Sequence, residues 1–265
     1  MLKKRIVGVI TVIDSLAVQS EGFGRYLPIG RPEICVENLD RWGVDEILIV
    51  SIDRSMRNLG PHFDLIKRLN KIKIRTPVSY GGGIRDAADA KNIISLGCER
   101  VVVDRLILSG DVKSIEEIGN VIGVQAVIAS VPGSFDQNGK LSWYDYLAQE
   151  NRKQFSTLEK IHEYGLVSEF LLIDKDNEGK RNAFRLDLVH AFLKYFVNSQ
   201  IICFGGISEK LQINALISID QVMGIGVGNF LNYTEHAVQH LRPSANSHPV
   251  REPFFSKGGL ILGSY

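Results

Sequence analysis

Cysteine is scarce in this sequence, with Cys35, Cys98 and Cys203 the only three in 265 residues. An odd number of widely separated cysteines excludes a disulfide scaffold and does not match the spacing of a zinc site. We therefore expect buried thiols in a reducing compartment, which indicates a cytoplasmic protein. Long apolar runs are also missing. No stretch approaches the ~18 residues of a membrane span, and the apolar run after Arg5 is too short for a signal peptide.

Neither sign of charge is in excess. The 31 basic and 30 acidic residues leave a net charge of +1, so bulk charge predicts no nucleic-acid partner. The six histidines show no metal-binding pattern, because His236 and His240 lie one helical turn apart without a third ligand. We predict no metal and no cofactor. What is present is an ordinary globular composition, 45% hydrophobic and 23% charged, with enough chain for one α/β barrel of ~250 residues.

Two glycine-rich turns organise the chain, YGGGIR at Tyr80–Arg85 and FGGIS at Phe204–Ser208. Each follows a short β-branched run and precedes a segment of helical periodicity. The backbone N–H groups of such a turn can hold an anion, most often a phosphate. The two turns are offset by 123 positions, and the same offset superposes residues 46–53 on residues 169–176. This repetition predicts a chain built from two duplicated halves.

Short apolar runs of strand type alternate with amphipathic segments along the chain. We predict eight strands, at 5–12, 46–51, 75–79, 100–104, 125–131, 169–174, 200–204 and 221–226. Alternation of strands and helices predicts a parallel sheet. Eight units in two matching halves favour a single (β/α)8 TIM barrel, with an open doubly wound sheet as the alternative.

The predicted barrel is one domain over residues 1–265, with two long connections and a tail. Residues 13–31 and 132–153 follow the first and fifth strands, so they lie at the C-terminal end of the barrel, where such folds carry their chemistry. Prolines between 243 and 253 interrupt the last helical pattern, and residues 243–265 end as an apolar tail that can cover a surface or reach a partner.

Several segments together resemble the cyclase subunit of imidazole glycerol phosphate synthase, of the histidine-biosynthesis barrel family. They are Met1–Ile6, Gly43–Glu46, Gly81–Arg85 and Gly205–Gly206, and the resemblance runs over about 230 residues in order and spacing. The tail, from Phe254 onward, is more similar to paralogues in surface-polysaccharide gene sets. That part of the resemblance implies a role beside a sugar amidotransferase.

The resemblance implies a glutaminase partner at the N-terminal face of the barrel and ammonia passing along the barrel axis. The family's ring of charged gate residues matches Arg5, Glu46, Arg100 and Glu169 here. Each is the first residue of its predicted strand, so strand alternation can aim all four at the axis. The alternative is a salt-bridge plug that only stabilises the barrel.

The family's catalytic end is altered in this sequence. Its two catalytic aspartates match Thr11 and Pro132, neither of which can serve as a general acid or base. The glycines at its phosphate sites match Gly82, Gly83, Gly179, Gly205 and Gly206 here, and Gly228 stands in place of a phosphate-site serine. Three departures accompany them, with Asp104 in place of asparagine, Phe204 in place of serine and Glu178 in place of aspartate. A carboxylate beside a phosphate is repulsive.

Three functions remain open from the sequence. The first is a barrel that partners a glutaminase and hands on ammonia for an amidotransferase without cyclase chemistry of its own. The second is an active cyclase or lyase subunit, or a barrel whose chemistry has moved to Asp53, Asp174 or Asp176, of which Asp53 and Asp176 are equivalent in the repeat. The third is a non-catalytic phosphate-binding module that uses the glycine turns.

Overall fold

The computed structural model describes residues 3–232 together with Leu241 and Arg251. Eight parallel strands close into a barrel, because the sixth barrel strand pairs with the fifth in parallel and completes the circle. The barrel strands are β1 (Arg5–Ile13), β4 (Glu46–Ser51), β5 (Val78–Gly81), β6 (Arg100–Val103), β7 (Val127–Phe135), β10 (Glu169–Asp174), β11 (Ile201–Phe204) and β12 (Val222–Val227). The predicted (β/α)8 barrel is confirmed.

Helices connect the barrel strands on the outside. Within residues 3–232 they are α1 (Pro32–Trp42), α2 (Ile52–Met56), α3 (Phe63–Asn70), α4 (Ala87–Ser95), α5 (Arg105–Ser109), α6 (Val112–Ile122), α7 (Ser156–Glu163), α8 (Leu186–Tyr195) and α9 (Lys210–Ile217). Their apolar faces pack on the barrel and form the larger of two buried clusters. Helix α1 shows local determinants typical of the set, since Pro32 opens it and Gly43 ends it at φ 78°.

The second apolar cluster fills the inside of the barrel. It consists of Val7, Val9, Leu48, Val102, Ile128, Leu171, Ile173, Ile202 and Phe204. All nine side chains are buried, and none can ionise. The barrel interior is therefore a packed apolar column between two polar ends.

The two glycine turns have matching backbones. Gly82 and Gly205 have φ angles of 117° and 110°, and the next glycine in each turn is also at positive φ. A Cβ atom on Gly82 would lie 2.2 Å from the carbonyl oxygen of Ser51, and one on Gly205 would lie 2.7 Å from that of Asp174. Ser51 and Asp174 are related by the same offset of 123 positions. Both turns therefore require glycine for the same reason, as a duplicated barrel predicts.

The two long connections, predicted as loops, contain antiparallel strands. Residues 16–30 form β2 (Leu16–Glu21) and β3 (Arg25–Gly30), and β8 (Leu141–Asp145) and β9 (Glu150–Arg152) extend from β7. Strand β1 turns into β2 through Asp14 and Ser15, which both have positive φ, as a two-residue hairpin turn requires. The third predicted strand starts too early, because Pro77 has no N–H for the ladder and β5 begins after it.

Three further expectations can be compared with the described residues. Cys98 and Cys203 are buried thiols, Cys35 is half-buried, and all three are free. No helix in the described part of the chain is long and apolar enough to cross a membrane. Residues 3–232, with Leu241 and Arg251, contain no cluster of His, Cys, Asp and Glu suited to a metal ion. His236, His240 and the tail, apart from Arg251, lie outside the described residues.

Candidate functional site

A ring of four charged side chains lies at the N-terminal end of the barrel. Arg5, Glu46, Arg100 and Glu169 are the first residues of β1, β4, β6 and β10, respectively. Arg5 Nη2 lies 2.6 Å and Arg100 Nη1 also 2.6 Å from Glu169 carboxylate oxygens. The same arginines approach Glu46 Oε2 at 3.5 and 3.6 Å. Each arginine therefore contacts both carboxylates.

The four side chains of the ring are largely buried. The Glu46 and Glu169 side chains are 4% and 5% exposed, and those of Arg5 and Arg100 are 19% and 14% exposed. Burial works against the charged guanidinium of Arg5, but the facing carboxylates outweigh it and raise its pKa. Ser79 Oγ donates to Glu46 at 2.5 Å. Mutual charge compensation is what allows four ionised groups at this depth.

At the C-terminal end lie Thr11 and Pro132, the two positions that the resemblance matches to catalytic aspartates. Thr11, near the end of β1, is buried and lies in register with Val18 and Val50. Pro132 of β7 lies in register with Ile173 of β10. Threonine does not titrate near neutral pH and the proline side chain has no exchangeable proton, so these two strand ends offer no acid–base pair.

The candidate aspartates have separate partners. Asp53 lies on α2, where Oδ2 accepts from the Asp14 backbone N–H at 3.4 Å and Oδ1 has no hydrogen-bond partner in the described part of the chain. Asp176 is 41% exposed and accepts from Ser134 Oγ at 2.6 Å and from Arg185 Nη2 at 3.1 Å. No hydrogen bond or ion pair joins Asp53 to Asp176. Asp174 is wholly buried in a two-point contact with Arg185, which indicates a structural role.

The first glycine turn is closed by side chains of the protein itself. Gly83 N–H donates to Ser55 Oγ at 2.8 Å, and Ser55 Oγ donates to Asp104 Oδ1 at 2.9 Å. Tyr146 OH and the backbone N–H of Arg105 donate to the same carboxylate, at 3.0 and 2.6 Å. Burial raises the pKa of Asp104, although these donors partly offset it. The turn is therefore satisfied by an internal carboxylate network.

The second glycine turn remains open. Glu178, the repeat equivalent of Ser55, turns away and accepts from Ser20 Oγ and the Phe23 N–H at 2.9 and 3.1 Å. Within residues 3–232, the Gly206 N–H has no hydrogen-bond acceptor. A cavity of about 20 Å³, room for one water-sized guest, lies against this turn. Its lining includes Lys180, Arg181, Phe204, Gly206, Gly228 and Asn229.

Phe204 fills part of the space beside this turn. A Cβ on Gly228 would lie 3.3 Å from Phe204 Cε2, and one on Gly226 would lie 3.1 Å from Phe204 Cβ. Any side chain at position 228 would crowd the ring. Phe204 therefore occupies space that is left free because position 228 is glycine.

The hairpin of β2 and β3 covers the mouth of the barrel. Its tip is attached to the loop after β10, since Gly22 N–H donates to the Glu178 carbonyl at 3.0 Å. Ser20 exchanges two backbone-to-side-chain hydrogen bonds with Asn229, at 3.1 and 2.6 Å. Phe23 packs on the apolar column inside the barrel. These contacts could not be predicted from the sequence, because Ser20 and Asn229 are 209 positions apart.

The chain is similar to known proteins over most of its length. A family model described as "Histidine biosynthesis protein" matches residues 5–237. Two relatives are named "Putative imidazole glycerol phosphate synthase subunit hisF2". The one from Vibrio vulnificus is 27% identical over 89% of this chain and 86% of its own length. The one from Campylobacter jejuni is 29% identical over 90% of this chain and 95% of its own length. The Pyrococcus furiosus imidazole glycerol phosphate synthase subunit HisF is 25% identical over 95% of this chain and 99% of its own.

Proposed function

Because the chain belongs to the histidine biosynthesis protein family, we propose that it is a barrel subunit that partners a glutaminase and hands on ammonia. The acceptor is a glutamine-dependent amidotransferase, which we place in surface-sugar modification on the resemblance of the tail. In this proposal the cyclase chemistry of the synthase is lost. The observation that carries the proposal is the contrast between the two ends of the barrel, an intact charged ring and a catalytic end without its carboxylates.

The geometry of the ring supports a gate that opens on one side. The arginine contacts to Glu169 are 2.6 Å, whereas those to Glu46 are 3.5 and 3.6 Å. Separating the longer contacts costs less, because ion-pair attraction falls with distance. Glu46 also keeps the hydrogen bond from Ser79 when the arginines move away. We therefore place the opening on the Glu46 side.

The interior above the ring suits a neutral guest. Ammonium would lose its hydration in a column of nine apolar side chains, and burying an unpaired charge there is strongly unfavourable. Neutral ammonia carries no such penalty. The charges of the two arginines and two carboxylates of the ring cancel, so it is the apolar column above the ring that favours ammonia over ammonium.

Exposed apolar side chains at the same end support a protein partner there. Tyr164 and Val197 lie in the short connections that lead into β10 and β11, at the N-terminal end of the barrel, and they are 63% and 59% exposed. Aromatic residues are enriched in protein–protein interfaces. We propose that this surface contributes to glutaminase docking.

The test is complex formation with the glutaminase encoded beside this gene, measured by titration calorimetry on the full chain. We expect micromolar or tighter binding that weakens at least tenfold in Val197→Asp. The matched control is Leu211→Asp, on an even more exposed apolar residue near the start of α9, at the other end of the barrel, and it should bind normally. Absence of a complex at micromolar concentration contradicts the proposal.

An active cyclase is the competing function. It is tested by supplying the isolated chain with ammonia and the ribulosyl substrate of the family's cyclase. We expect no turnover, since Thr11 and Pro132 cannot move protons. Turnover that disappears in Asp176→Asn overturns the proposed loss of chemistry while leaving the glutaminase interaction to be judged by calorimetry.

A further inference from the structure

The two glycine turns have the same backbone conformation but different hydrogen-bond partners. In the first turn the Gly83 N–H is bonded to Ser55, whereas in the second the equivalent Gly206 N–H has no acceptor among residues 3–232. The residues that decide this difference are repeat equivalents, Ser55 in the first half and Glu178 in the second. The asymmetry lies in the side chains, because the backbones match.

The first turn already contains a carboxyl group that accepts hydrogen bonds. Both oxygens of Asp104 accept hydrogen bonds, Oδ1 from Ser55 and Arg105 N–H and Oδ2 from Tyr146. These are the kinds of donors that hold a phosphate in a glycine-rich turn, a backbone N–H and hydroxyl groups. Among the described residues no basic side chain pairs with this carboxylate, and Arg105 Nη1 donates to the Ser55 carbonyl at 2.9 Å instead.

We infer that Asp104 is a specificity-determining residue that takes the place of a ligand anion at the first glycine turn. Its negative charge repels a phosphate from that position, and its hydrogen bonds occupy the donors that a phosphate needs. A ligand that reaches this part of the C-terminal end must meet it with a neutral, hydrogen-bond-donating group such as a hydroxyl. A substrate with phosphates at both ends is thereby excluded.

The inference does not depend on a glutaminase, and the test uses the chain alone. Inorganic phosphate is titrated into the wild type and Asp104→Asn at pH 7.5, and stoichiometry is measured by calorimetry. We expect the variant to bind one more phosphate than the wild type. The matched control, Asp111→Asn, changes another aspartate that caps a helix, α6, and should match the wild type. No gain in Asp104→Asn overturns the inference.

A second variant separates charge from occupied space. Ser55→Ala frees the Gly83 N–H but leaves the Asp104 carboxylate in place. We expect it to bind no additional phosphate, because the repulsive charge remains. A gain equal to that of Asp104→Asn shows that hydroxyl occupancy, not charge, closes the turn, and it overturns the assignment of Asp104. Circular dichroism checks folding, and Asp104→Ser is the neutral replacement if the asparagine variant does not fold.

Discussion

Glu169 is the residue on which the stability of the charged ring depends most. Both arginines contact its carboxylate at 2.6 Å, and its side chain is 5% exposed. In Glu169→Gln the two guanidinium groups keep only Glu46, at 3.5 and 3.6 Å. Removing one partner of a buried ion pair costs ~3–5 kcal/mol. Because the arginines are 19% and 14% exposed and retain some hydration, we expect the lower end, a loss of about 3 kcal/mol in the free energy of unfolding.

Glu46→Gln is the internal comparison. It loses only the two longer contacts, and the amide oxygen still accepts the hydrogen bond from Ser79. We expect a loss of about 1 kcal/mol, as for a weak ion pair. Glu163→Gln, on an exposed residue at the end of α7, is the control and should change stability by less than ~0.5 kcal/mol.

The assay is urea unfolding followed by circular dichroism, with the slope of the transition compared between variants. The expected order of destabilisation is Glu169→Gln, then Glu46→Gln, then Glu163→Gln. If Glu169→Gln destabilises no more than Glu46→Gln, the ring is not the tightly coupled structure that the distances indicate. If both match the control, the four charges behave as ordinary surface ion pairs.

Three further predictions concern the C-terminal end. Burial raises the pKa of the Glu178 carboxyl above its ordinary value of 4.5, so the folded chain binds the carboxyl proton more tightly than the unfolded chain does. The melting temperature should therefore fall as the pH rises from 4.5 through the raised pKa, and Glu178→Gln should make this fall smaller. Gly179→Ala puts a Cβ 2.1 Å from a backbone carbonyl oxygen of the β2–β3 hairpin and should lower the free energy of unfolding by at least ~2 kcal/mol in urea unfolding. Its control, Gly139→Ala, lies at a similar positive φ with open space around it and should lower that free energy by about 1 kcal/mol. Phe204→Ala removes a buried ring that packs on Gly228 and should lower the free energy of unfolding by ~3–5 kcal/mol. A loss below ~1 kcal/mol in the same assay would show that the surrounding residues close in and fill the cavity.

The barrel itself could be predicted from the sequence, because its determinants are local. Buried parallel strands appear as continuous Val- and Ile-rich runs, and β4 and β10 have the predicted bounds of 46–51 and 169–174. The charged residues of the ring are identified through the family resemblance, and the local pattern agrees with it because each begins a strand. A residue at a strand start needs no long-range information to be placed at one end of the barrel.

The hairpins and the network around Asp104 could not be predicted in this way. The turn after β1 uses Asp14 and Ser15 at positive φ instead of the Asn-Gly or Asp-Gly pairs that mark such turns. Ser55 and Tyr146 reach Asp104 across 49 and 42 positions. Only the folded chain brings these groups together, and neither residue carries a periodic or motif signal of its own.

The hydrogen bonds that close the barrel mouth set a free-energy cost for opening the C-terminal end. Lifting the tip of the β2–β3 hairpin breaks five hydrogen bonds, three to Glu178 and two between Ser20 and Asn229. At ~1 kcal/mol each, opening costs about 5 kcal/mol before the burial of Phe23 is counted. The open form is then a fraction of about one in several thousand, and affinity for any ligand that enters along the axis falls by that factor. A bulky substrate is penalised by this closure, whereas the ammonia of the proposed function needs a far smaller opening.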